Sequence, residues 1–144
     1  MEERNEKSQK ESTDINVSGK NDMKELMEKW GGTPYPKLIR RLPEIDISVE
    51  GVRGWLIQHD KIQAVFFDIQ PDREIPPHSH CAQWGFVLEG EMWLTIDGKT
   101  KHYSKGDWYY ISEGITHSAT FPTRFHAIDF FDDPTNFTRN FLRR

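Results

Sequence analysis

His78 and His80 are separated by one residue, and a third histidine, His117, follows thirty-seven residues after His80. In an extended strand alternate side chains share a face, so these two imidazoles project to the same side, about 6.6 Å apart along the chain. Two imidazoles placed this way can bind one ion from one side. Imidazole suits Zn, Cu, Fe and Ni alike, so the ligand type does not choose among them. Ahead of the pair, Pro76-Pro77 removes two backbone donors and fixes φ, which makes the approach stiff and extended. Gln83, three positions after His80, carries a carbonyl oxygen; its bland reading is a polar residue bonded to the backbone where a strand begins.

The elements that must position these groups are short and β-rich. Val52 to His59 and Ile62 to Ile69 are apolar runs joined by a hairpin at His59-Asp60-Lys61. Further strands are expected over Gln83 to Leu88, Met92 to Ile96, Lys99 to Tyr103, Trp108 to Ile111, Ser118 to Phe121 and Arg124 to Phe131. Glu89-Gly90 and Asp97-Gly98 supply tight turns. Many short strands with glycine turns every eight to twelve residues predict an all-β sandwich or barrel. Before them, apolar residues at Met23, Leu26, Met27 and Trp30 are spaced as one face of a short helix, with Asp22 as its cap and Gly31-Gly32 as its stop. Prolines at 34, 36 and 43 make the next segment irregular.

Pro77-His78-Ser79-His80 to Gly90, and then Gly106-Asp107-Trp108-Tyr109-Tyr110-Ile111 to Gly114-Ile115-Thr116-His117, closely resemble the two motifs of the cupin superfamily. The likeness covers roughly residues 55 to 131 and implies a cupin-type jelly-roll β-barrel. Carried over residue by residue, the family's metal ligands fall on His78, His80, Gln83 and His117. Gln83 stands where the family has a glutamate, with six residues between it and Gly90, and the gap after His80 is one residue short. Asp72, Ser112 and Phe121 replace the motifs' opening glycine, proline and final asparagine. The resemblance implies a divalent metal cofactor (Zn, Fe, Mn or Ni). With a neutral amide in place of a carboxylate, the bound ion keeps its whole charge and is the stronger Lewis acid. It also implies a homodimer, with Ile45-Asp46-Ile47-Ser48-Val49 placed to add to a partner's sheet.

The resulting division is a disordered tail over 1–22, a helix and irregular lead-in over 23–43, a barrel over 44–134 and a C-terminal extension over 135–144. The tail reading rests on composition: up to Asp22 only Ile15 and Val17 are β-branched apolar residues, too few to offset the entropy of ordering. A net charge of -4 leaves no broad basic surface, so nucleic acid is not an expected partner. No apolar run is long enough to span a bilayer, none follows Met1 as a signal segment, and one cysteine cannot form an internal disulfide, which together point to the cytoplasm. Cys81 is read as a small buried hydrophobe.

Aromatic residues are too numerous for surface decoration. Phe66, Trp84, Phe86, Trp108, Tyr110 and Phe130 are assigned to the metal face, with His126 beside them, giving a largely apolar pocket for a small-molecule ligand. For His126 the competing reading is a structural histidine. Asp129 is assigned outward or to a pair with Arg124, because an unpaired carboxylate among aromatics is costly. Two functions remain open. One is a metalloenzyme of dioxygenase, lyase or isomerase type acting on a small oxygen-bearing molecule; the other is a non-catalytic module that binds or senses a small molecule or metal.

Overall fold

The computed structural model describes residues 20–140, so the tail expected over 1–22 lies almost wholly outside them. Among the described residues there are two short helices and nine strands. Helix α1, Lys20–Lys29, starts two residues before Asp22, which therefore sits in the first turn and is not the cap. It stops where foreseen: Gly31 and Gly32 take φ of 75° and 82°, and the Gly32 amide returns to the Met27 carbonyl at 2.7 Å. Helix α2, Lys37–Arg40, is a single turn after Pro36, in the stretch expected to be irregular. A proline immediately before the first helical residue has no amide for a helix to miss.

The strands are β1 Val52–Gln58, β2 Gln63–Ile69, β3 Arg73–His78, β4 Gln83–Glu89, β5 Glu91–Ile96, β6 Lys99–Ser104, β7 Trp108–Ile111, β8 His117–Phe121 and β9 Phe125–Phe131. All pairings are antiparallel and make two sheets, β1-β2-β9-β4-β7 and β3-β8-β5-β6. They face each other as a jelly roll around one core. Strand β3 holds Pro76 and Pro77, and it lies at a sheet edge, where missing amides cost no ladder bonds. Asp97 and Gly98 both have positive φ, as a two-residue hairpin of the expected kind requires. Gly90 turns at φ 89°, and a Cβ there would strike the Arg124 carbonyl.

Parity decides what the barrel encloses. On the five-stranded sheet the inward residues include Val65, Phe67 and Ile69 of β2, Gln83 and Val87 of β4, Tyr109 and Ile111 of β7, and Phe125, Asp129 and Phe131 of β9. Their alternates face outward. The flanking segments close the structure. The Ile45 amide donates to the Gly54 carbonyl at 2.9 Å, the Asp46 amide to Thr138 at 2.7 Å and the Asn140 amide to Glu44 at 2.8 Å. Two amides of the segment expected to join a partner's sheet, those of Ile45 and Asp46, are thus bonded within the chain. Residues 136 and 137 are part of the wall too: Phe137 packs on Phe67 and Phe131, and buried Gln63 donates to its carbonyl and accepts from its amide. On the outer face Tyr35 stacks edge-on against Trp55, Phe66 and His126, and its hydroxyl donates to the Phe67 carbonyl at 2.6 Å.

Candidate metal centre

His78 ends β3, His80 lies in the short loop before β4, and His117 opens β8 directly opposite His78. A register shift between Ile75 and His78 turns the end of β3 toward this point. The strand thus ends before His80; cross-strand pairing and the loop bring the rings together, not simple alternation along one strand. One nitrogen from each ring lies within 4.8 Å of the others, and the ring centroids are 4.2 to 5.2 Å apart.

Each imidazole is oriented by a backbone carbonyl. His78 Nδ1 is 2.8 Å from the Pro76 oxygen, His80 Nδ1 is 2.8 Å from Cys81, and His117 Nδ1 is 2.9 Å from Ile115. A carbonyl only accepts, so each Nδ1 carries the proton and each Nε2 keeps a free lone pair. Burial pushes the His80 and His117 pKa values down, with the neighbouring His78 acting the same way, so the neutral, ligating form is favoured. The Nε2 of His117 is buried and has no hydrogen-bond partner. Three neutral nitrogens, tautomer-fixed and converging around a buried, unpartnered acceptor, fit a divalent ion.

Beside the histidines, Gln83 of β4 donates from Nε2 to Asp129 Oδ1 at 2.7 Å, and the Tyr109 hydroxyl donates to the same oxygen at 2.6 Å. Asp129 is therefore neither outward nor paired with Arg124, as the sequence reading had it. It is inside the barrel, where burial lifts its pKa to about 6 against the pull of the bonds from Tyr109 and Gln83. Gly85 makes room for this cluster, since a Cβ at that position would strike both the Tyr109 ring and Asp129 Oδ1. Arg124 instead forks onto Asp68 of β2, with Nε and Nη2 at 3.0 and 2.8 Å from its two carboxylate oxygens.

The histidines and Gln83 line a cavity of about 440 Å³. Its other walls are mostly apolar, including Ile47, Val52, Phe67, Leu94, Phe125 and Phe131, with Tyr109, Asp129 and Asn136 among the polar exceptions. None of the seven residues assigned to the pocket from sequence is among them. Trp84, Trp108, Tyr110 and Phe130 are exposed on the opposite face of the same sheet, with Phe66 and Phe86 half-buried there. His126 is buried on that outer face, its Nε2 3.0 Å from Asp68 Oδ1 but outside hydrogen-bond alignment, a structural histidine. The cause is a choice of parity: a shift of one residue exchanges the two faces of a strand. In β9 both alternating sets carry aromatics, so the pattern did not say which faces in. Asp129 and Tyr109 were missed for the same reason, although Gly85, small and opposite Asp129 in the register, was a signal. Cys81 is half-buried against the core, His59 is exposed in the first hairpin, and His102 lies 3.5 Å from Glu91 on the outside of the other sheet.

Residues 65–131 match the Cupin domain family. Among solved structures, an RmlC-like cupin from Shewanella frigidimarina NCIMB 400 aligns at a TM-score of 0.57 and 27% identity, covering 62% of this chain and 82% of that one. KdgF from Halomonas sp. aligns at 0.53 and 19% identity, over 61% of this chain and 84% of that one. The oxalate decarboxylase of Lactobacillus farciminis, in its formate complex, aligns at 0.57 and 17% identity, over 70% of this chain but 33% of that one. At those identities the last two share the fold alone. No curated protein matches the chain.

Proposed function

We propose, on the premise that this chain is built on a small cupin-superfamily domain, that His78, His80 and His117 hold a divalent metal ion against an apolar cavity and that the site acts on a small oxygen-bearing molecule. One observation carries the reading: three Nδ1 groups bonded to backbone carbonyls leave three Nε2 lone pairs converging, one of them buried without a partner. Asp129 accepts from the Gln83 amide and so fixes which way it points. Nε2 is committed and Oε1 is the free end, which we assign as the fourth contact. A divalent ion held by neutral donors supplies Lewis-acid polarisation of a carbonyl or enolate oxygen.

The cavity walls set the substrate. Among the described residues no lysine or arginine lines the cavity, so apart from the ion nothing there pairs with the several negative charges of a dicarboxylate or phosphate. The apolar walls favour a compact molecule with a hydrocarbon body and one or two oxygens directed at the histidines. The reaction belongs to the dioxygenase, lyase or isomerase types, and the ion is Zn, Fe, Mn or Ni.

A non-catalytic binding module is the second reading, and one observation favours it. The acid that lines the cavity, Asp129, already accepts two hydrogen bonds on one oxygen, which blunts it as a base. The first test is elemental analysis of protein purified without added metal, beside His117→Ala after dialysis against a mild chelator. Close to one ion per wild-type chain and loss in the variant are expected; equal metal in both refutes the site. Turnover of small ketones and enols by metal-loaded but not stripped protein then separates enzyme from binding module.

A further inference from the structure

Two segments outside the matched residues 65–131 complete the wall of the cavity. Ile47 and Val49 come from the chain ahead of β1, and Asn136 and Phe137 from the chain after β9. The segments are tied to each other: Ile45 bridges Arg139, the Asp46 amide donates to the Thr138 carbonyl, and the Asn140 amide donates to that of Glu44. Three of the four side chains this ribbon brings to the wall are apolar. Asn136 is the exception.

Most other polar groups of the wall are already committed. The histidine Nδ1 atoms face backbone carbonyls, which leaves Nε2 for the ion, and Gln83 and Tyr109 both donate to Asp129. Ser79 is exposed in its loop, and Ser118 alternates along β8 with buried His117 and Ala119, so its hydroxyl falls on the outward parity. Asn136 is half-buried, and among the described residues its side-chain amide has no hydrogen-bond partner. Its backbone, by contrast, is held on both sides. The Asn136 amide donates to the Asp133 carbonyl at 3.3 Å, and Asp133 Oδ1 accepts from the Thr135 amide and hydroxyl at 2.8 and 2.7 Å. Fully buried Gln63 accepts from the Phe137 amide at 2.9 Å and donates to its carbonyl at 2.8 Å. An unpaired amide on so constrained a loop is pre-organised, because a ligand that bonds to it does not first have to order the chain.

We propose, resting on the metal site above, that Asn136 is the specificity-determining residue of this cavity and selects a hydroxyl group on a ligand whose carbonyl oxygen lies at the histidines. The chemistry of the amide picks the group. A hydroxyl both donates and accepts, so it satisfies whichever end of the carboxamide is turned inward, whereas a carbonyl or ether oxygen suits only Nδ2 and an ammonium only Oδ1. With no lysine or arginine in the wall among the described residues, an uncharged hydroxyl is also a better match than a second carboxylate. The ligand class is therefore a small hydroxy ketone, its hydrocarbon body against the apolar side chains.

The test is titration calorimetry of the metal-loaded full chain with hydroxybutanone, hydroxypentanone and hydroxyhexanone, methyl ketones with the hydroxyl at the far chain end. Each is compared with the ketone that has a methyl group in place of the hydroxyl, and the series of lengths spans the reach from the histidines to Asn136. Wild type should bind at least one hydroxy ketone roughly fivefold tighter than its partner, the scale of one neutral hydrogen bond. Asn136→Leu, close in volume but apolar, should erase that ratio, and Asn136→Asp, which still accepts from a hydroxyl, should keep it. Bound metal per chain and circular dichroism should match wild type in both, and Asn136→Ala takes the place of Asn136→Leu if that variant does not fold. A wild type with no preference within any pair, or with no binding of any, would overturn the proposal, as would a ratio that survives in Asn136→Leu. Protein that takes up no metal would sink the metal site instead, and the ratio within each pair is then read on the metal-free cavity by the same criteria.

Discussion

Gln83 Nε2 and Tyr109 Oη both donate to a single oxygen of Asp129, over 2.7 and 2.6 Å, at the floor of the cavity that the three histidines line. This relationship accounts for the amide at a position where the related motif has a carboxylate. A glutamate here would place a second acid at hydrogen-bond distance from a buried one, and two carboxylates that close do not both ionise. Glutamine donates instead, so one negative charge stays one oxygen contact away from the histidine site rather than within it.

Gln83→Glu should therefore destabilise the metal-free protein at neutral pH by about 2 kcal/mol, the scale of a lost hydrogen bond to a charged group. The loss should shrink as pH falls and the pair takes up a shared proton. Adding Asp129→Asn should recover most of it, because amide and carboxylate have then merely exchanged places. Urea unfolding of the four proteins of this cycle gives the coupling, and strictly additive changes would reject the pairing.

The fold and the histidines were legible because glycine turns, short β-rich runs and the spacing of His78, His80 and His117 are local properties of the chain. Strand β7 was bounded correctly at Trp108–Ile111. The cavity wall was not legible. Phe130 and Phe131, or Trp108 and Tyr109, are adjacent aromatics that alternate across the sheet, and hydrophobicity cannot say which member faces in. What settles parity is tertiary: Tyr35 arrives from 32 residues before Phe67 to cover the outer face, and Phe137 comes from beyond β9 to close the inner one.

Metal retention should depend on pH and on Gln83 in different ways. Proton competition for imidazole releases the ion on acidification. Because burial lowers the His80 and His117 pKa values, release should come below the ordinary histidine value of about 6.5. Gln83→Ala should shift release to higher pH by removing one oxygen contact. Bound metal per chain across a pH series would show it, and curves that coincide for wild type and Gln83→Ala would refute ligation by the amide.

Gly85→Ala tests whether the space beside Asp129 is required. Its Cβ would meet the Tyr109 ring and Asp129 Oδ1, both buried in the barrel and neither free to swing away. Overpacking of this kind costs about 1–3 kcal/mol. In thermal unfolding of metal-free protein that is a fall of several degrees, and an unchanged midpoint would show that the cluster yields at no cost.

Acid should attack the fold from the opposite face of the sheet. Burial alone would raise the Asp68 pKa, but the His126 ring 3.0 Å away and the forked hydrogen bonds from Arg124 hold it well below the usual carboxylate range. A carboxylate depressed in the folded state stabilises the protein fully above its unfolded pKa, about 3.9, and that stabilisation is lost as pH falls toward the folded value. Asp68→Asn should accordingly cost about 3 kcal/mol at pH ~7, where it strips Arg124 of its counter-charge. The gap between wild type and variant should narrow steadily below pH ~4. Denaturant titrations at neutral and acid pH measure it directly. A gap that stays constant down to pH ~2 would mean that the charge on Asp68 contributes nothing and that its hydrogen-bond geometry alone holds Arg124 in place.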